Sequence, residues 1–164
     1  MPVFSTAPVA TGERAAPVNC AEVATLEDIT RILSTLVTGP VVPIVGVPQD
    51  NIGRTARLDC YYGVPAGKPV AAAKVWIGLT TYVNEESARK RMTTTIGDEQ
   101  DTGATVSDVP VGPGRGVLLR TDYWMLVANR GRITVVVRVL PVLVRDDHAG
   151  SLLGQLANFA ITSR

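Results

Sequence analysis

Between Thr25 and Val37, large aliphatic residues recur at Leu26, Ile29, Ile32, Leu33 and Leu36, steps that lay one apolar stripe along a helix. Thr25 with Asp28 makes a capping box at its start, and Gly39-Pro40 ends it. From Val41 to Thr55, breakers at Pro43, Gly46, Pro48 and Gly53 read mainly as loop, with room for a short strand around Pro43 to Val47. The period then changes to two. Arg57 to Gly63 places Leu58, Cys60 and Tyr62 on one side, and Ala72 to Val83 follows the turn at Pro65-Ala66-Gly67, predicting a hairpin. In the second strand Val75, Ile77, Leu79, Thr81 and Val83 share a face, while Lys74, Trp76, Gly78, Thr80 and Tyr82 share the other.

Asn84 caps a second predicted helix from Glu85 to about Ile96, with Glu85 and Glu86 where the helix dipole favours negative charge. Gly97 to Gly103 reads as a polar loop. Four β-prone runs follow at Ala104 to Val109, Val117 to Arg120, Tyr123 to Asn129 and Ile133 to Leu140, the last two joined by a tight turn at Arg130-Gly131. A third helix is predicted from Asp146 to Ala160, capped by Asp146 or Asp147, with Leu152, Leu153, Leu156 and Phe159 on its apolar face. The order predicts an α+β domain: a twisted antiparallel sheet of about five to seven strands packed with about three helices. It lacks the regular βαβ alternation of a doubly wound nucleotide-binding fold.

The boundaries follow from composition. Residues 1–18, rich in Ala, Pro and Thr, read as a flexible linker or leader, and 19–164 as a single domain. The leader lacks the basic and apolar regions of a signal peptide, so it is expected to be a tether to something upstream, such as a membrane or lipid anchor outside this sequence. The chain, with 46% hydrophobic and 19% charged residues, can bury enough apolar surface to fold. Its formal net charge of +1 gives no global field for a polyanion, which argues against nucleic acid as partner. The densest basic run, Arg89-Lys90-Arg91, reads as a solvated helix face. No uninterrupted apolar run reaches the roughly 18 residues a membrane span needs.

Of the two cysteines, Cys20 stands just before the first helix and Cys60 inside the first clear strand. They are either buried thiols or a disulfide. The leader, suggesting export, favours the disulfide, which would close a loop and pin the first helix to the sheet. With one histidine and no CxxC, no metal site is nominated.

The Cys ahead of a helix, the segment Leu58-Asp59-Cys60-Tyr61-Tyr62, and a strand leading to a Glu-rich helix start resemble actinobacterial, mycobacterial-type cell-envelope lipoproteins and secreted domains of uncharacterised function. The element order is also similar to the PsbP/Mog1-like fold. The resemblance covers Asn19 to the C-terminus and implies an exported, disulfide-bonded domain with no established activity, and so no catalytic residues to carry over.

Patterned chemistry is sparse along the chain. His148 follows Asp146 and Asp147 at a helix start, but adjacent residues on a helix do not face one another, so Asp147 is poorly placed to orient it, and no G-x-S-x-G elbow supplies a nucleophile. Gly112, Gly114 and Gly116 with Arg115 are followed by a strand rather than a phosphate-binding helix, and Gly63 to Lys68 reads as a turn. Asp98, Glu99 and Asp101 read as a solvated acidic loop. No cofactor is implied.

The candidate site residues are aromatic: Trp76 and Tyr82 on the polar side of their strand, and Tyr123 and Trp124, one on each face of theirs. Such rings suit a ligand or protein surface, unless they simply pack beneath helices. The resulting expectation is a non-enzymatic extracytoplasmic binding or accessory domain of the cell envelope. It would present a sheet face or helix-sheet cleft to an envelope protein or an apolar small ligand. The alternatives are the sensor ectodomain of a membrane-anchored signalling protein and an envelope hydrolase with dispersed carboxylates. Oligomeric state is left open.

Overall fold

The computed structural model describes residues 13–163. Its frame is a seven-stranded antiparallel sheet with three helices, the α+β architecture that the patterning predicts. The strands are β1 (Val41–Gly46), β2 (Arg54–Tyr62), β3 (Val75–Tyr82), β4 (Thr105–Val111), β5 (Gly114–Arg120), β6 (Trp124–Arg130) and β7 (Ile133–Val139), in spatial order β1-β2-β3-β7-β6-β5-β4. The helices are α1 (Leu26–Leu33), α2 (Glu85–Asp101) and α3 (Ala149–Ile161).

Strand alternation sorts the sheet into two faces. Leu58, Cys60 and Tyr62 of β2, Val75, Ile77 and Leu79 of β3, and Val135, Val137 and Val139 of β7 are buried together under Ile29 and Leu33 of α1 and Leu153, Leu156 and Ala157 of α3. The Cys20–Cys60 disulfide joins a short 3-10 turn, Cys20–Glu22, to this face, and the buried Tyr62 hydroxyl donates to the Ala24 carbonyl at 2.8 Å beside it. The first helical segment is thus stapled to β2, as the two-cysteine reading expects.

α2 covers the opposite face, packing on β3, β7, β6 and β5. Its inward stripe is Ala88, Met92, Thr95 and Glu99, at steps of four, three and four. Of its residues only Ala88 is buried. A stripe this small and polar cannot fill the space between helix and sheet.

Several predicted boundaries move. Thr25 and Asp28 do form the capping box, but α1 ends at Ser34, which adopts the left-handed region at φ 53°, well before Gly39; Leu36 leaves the stripe and is 72% exposed. The segment expected mainly as loop forms edge strand β1, where Pro43, with no N–H to donate, is tolerated. α2 runs through Gly97 into the acidic residues expected as loop, because Thr102 Oγ1 donates to the Glu99 carbonyl and Gly103 ends the helix with φ 95°. α3 starts at Ala149 rather than at an aspartate cap, since the Asp147 carboxylate turns back to Arg145 at 3.3 Å.

Of the predicted leader, residues 1–12 lie outside the described residues. Its end is docked on the domain: Glu13 pairs with Arg132 at 2.7 Å, and Arg14 Nη1 donates to the Ala160 carbonyl at 2.7 Å. Among the described residues no helix is long and apolar enough to cross a membrane.

Candidate functional site

Because Leu58, Cys60 and Tyr62 face the core, alternation sends Arg57, Asp59 and Tyr61 to the α2 side of the sheet. Antiparallel register sets Tyr61 opposite Trp76, and Trp76 opposite Arg138. The result is a row across three strands. The Tyr61 and Trp76 rings stack with centroids 6.0 Å apart and planes 8° from parallel. The Arg138 guanidinium lies 5.2 Å from the Trp76 ring centroid and 4.5 Å from that of Tyr123, so the cation is held between two π-faces.

Beneath the row lies a carboxylate. Asp59 is only 5% exposed, and both its oxygens are engaged: Oδ2 accepts from Arg57 Nε at 2.8 Å, and Oδ1 accepts from Trp76 Nε1 at 3.1 Å. Gly78, directly opposite Asp59 in the pairing, makes this arrangement fit. A Cβ there would stand 2.6 Å from Asp59 Oδ1 and 3.3 Å from the indole. The missing side chain lets the tryptophan fold across the strand to reach the carboxylate.

Where α2 stands off the sheet, Arg57, Asp59, Trp76, Gly78 and Arg138 border a cleft of about 260 Å³. Its floor is Asp59, Trp76, Thr80 and Val136, and its roof is Arg91, Met92, Thr95 and Glu99 of α2. Met125 and Val127 make its wall apolar. Tyr82 closes one end and is 3% exposed.

Burial first, and then the Asp59 charge, pushes the Tyr61 hydroxyl above its ordinary 10.0, against the opposing pull of Arg57 and Arg138. Burial likewise raises Tyr82, against Arg91, the Thr134 hydrogen bond, Arg54 and Arg57. A raised phenol favours the neutral folded state. Its contribution is complete below pH 10.0, where unfolded tyrosine starts to ionise, and is lost as pH climbs through the folded-state value. Urea midpoints followed from about pH 9 to about pH 11 should fall with pH, and Tyr82→Phe should flatten that slope.

The four candidate aromatics do not form one site. Trp76, Tyr82 and Tyr123 lie on the α2 side, with Tyr82 packed beneath the helix. Trp124 belongs to the other face, partly buried against the main core with the Arg120 guanidinium 4.9 Å from its ring. His148 is exposed at the start of α3, with Nε2 3.8 Å from Asp147 Oδ2. The sequence reading missed Arg57, Asp59, Tyr61, Arg91 and Arg138. The signal was present in part: an aspartate between core residues of a strand, and an arginine inside the apolar β7 run, each need a partner on the opposite face.

No protein-family model matches the chain. No curated protein matches it either. Among solved structures, the chain is similar to the extracellular domain of PknH from Mycobacterium tuberculosis, with a TM-score of 0.51 and 12% sequence identity, over 89% of this chain and 96% of that chain. At that identity the likeness is one of fold. It does not show a PsbP/Mog1-like fold.

Proposed function

We propose that this chain is a non-enzymatic extracytoplasmic binding domain whose ligand enters the cleft between α2 and the sheet. One observation carries the reading: the Tyr61–Trp76–Arg138–Tyr123 row lies on a sheet face that α2 covers incompletely. Trp76, which lines the cleft and is held by its stack on Tyr61 and by Arg138, offers large contact area at low entropic cost. A disulfide in the core supports an oxidising compartment, as does the fold shared with an extracellular domain.

A sensor role within a larger membrane protein has support of its own, because the structural neighbour is the extracellular domain of PknH. The hydrolase alternative is disfavoured by Asp59, whose oxygens are both engaged in holding the site together.

A screen of a small-fragment library, read by the Trp76 indole N–H resonance, tests the cleft. Hits are expected to shift resonances of Trp76, Thr80, Met92 and Met125 together. Trp76→Ala should then weaken them by more than about 1 kcal/mol, alongside a lower thermal midpoint because the buried Asp59 Oδ1 loses its donor. Hits scattered over the surface, or a Trp76→Ala protein that loses stability while binding as before, would overturn the reading.

A further inference from the structure

The cleft's charges are unequal in availability, and this bears on what it takes up. Three guanidinium groups border it, those of Arg57, Arg91 and Arg138, against the carboxylates of Asp59 and Glu99. Asp59 has no oxygen left, since Arg57 and Trp76 occupy both. Arg138 is held flat between two rings and uses one amino group on the Ala71 carbonyl at 3.3 Å. The Arg91 guanidinium has no ion-pair or hydrogen-bond partner among the described residues, although its helix neighbour Arg89 pairs with Glu85 at 2.8 Å. The polar side of the cleft therefore presents N–H donors in excess, next to an apolar wall of Met92, Met125 and Val127.

Building on the cleft reading above, we propose that the ligand is a small organic anion, its carboxylate or phosphate held by Arg57 and Arg91 and its apolar body lying on Met92 and Met125. The guanidinium fork suits such oxyanions, and charge-assisted hydrogen bonds in a partly enclosed site are stronger than neutral ones. Methionine adapts to varied apolar shapes, which favours a class of ligands over a single compound. The cleft volume of about 260 Å³ limits the ligand to small-molecule size.

The test is a fragment library with acids, amines and neutral compounds in equal number, screened on the intact chain by NMR. It should include 4-phenylbutyrate beside 4-phenylbutyramide, and phenyl phosphate as the phosphate arm. Acids should dominate the hits that move the Trp76 indole, and the carboxylate should bind roughly tenfold more tightly than its amide. R91Q should abolish that preference, whereas R89Q, the same charge change on the outer side of the same helix, should leave it intact. Phenyl phosphate binding alone, without the carboxylate, would assign the site to phosphates within the same class. Cleft hits without preference for acids, or R91Q equal to R89Q, would overturn the anion assignment and leave the cleft standing. An absence of cleft hits of any charge would overturn both.

Discussion

Reduction of the Cys20–Cys60 bond is expected to remove about 4 kcal/mol of folding free energy. The bond spans 40 residues of sequence, so opening it releases a long loop in the unfolded chain. Cys60 is wholly buried in β2, next to the edge strand, and Cys20 is the buried residue of the 3-10 turn Cys20–Glu22. Since a domain of this size holds roughly 5–15 kcal/mol in total, the loss takes much of the margin. Urea unfolding with and without a phosphine reductant measures it, and a Cys20→Ala/Cys60→Ala protein should match the reduced one. An unchanged midpoint on reduction would mean that packing alone carries the turn. Alkylation of intact cells before lysis gives the compartment: blocked thiols on both cysteines would refute an extracytoplasmic site.

Gly154→Ala is expected to cost about 2 kcal/mol, although the same substitution on an exposed helix would stabilise by up to roughly 1 kcal/mol. Gly154 is buried in α3, and a Cβ there would fall onto the Pro110 carbonyl oxygen of β4. A carbonyl in a paired strand cannot swing aside as a side chain would. Gly150, one turn earlier, meets Val109 Cγ1 at 3.0 Å in the same test, so the two glycines form the track on which α3 lies against β4. The methyl group must lift the helix, opening the packing of Leu153 and Leu156. Gly97→Ala in α2, where nothing lies within 4 Å of the added carbon, should instead raise the urea midpoint. Opposite signs at these two helical glycines are the result to look for, and two gains would refute the close approach of α3.

Much of the fold was legible because it rests on periodicity. The two-residue alternation of Leu58, Cys60 and Tyr62 and of Val75, Ile77 and Leu79 placed the correct side chains inward, and the Thr25–Asp28 capping box marked the start of α1 to the residue. Where the sequence reading erred, local signals were overruled by distant contacts. Gly97 and the acidic residues after it signal a loop, yet the chain stays helical to Asp101. The breakers from Val41 to Thr55 signal mainly loop with room for a short strand around Pro43 to Val47, and pairing with β2 extends that strand back to Val41.

The candidate site divides in the same way. That Trp76 and Tyr82 share the more polar face of one strand, and that Tyr123 and Trp124 point to opposite faces, follows from alternation alone and holds in the structure. That Asp59, Trp76, Gly78, Arg91 and Arg138 meet could not be read from the chain, because they come from β2, β3, α2 and β7. Alternation is a property of one strand and is written in its residues. Register across strands, and the distance at which a helix settles over a sheet, are decided only when the whole core packs.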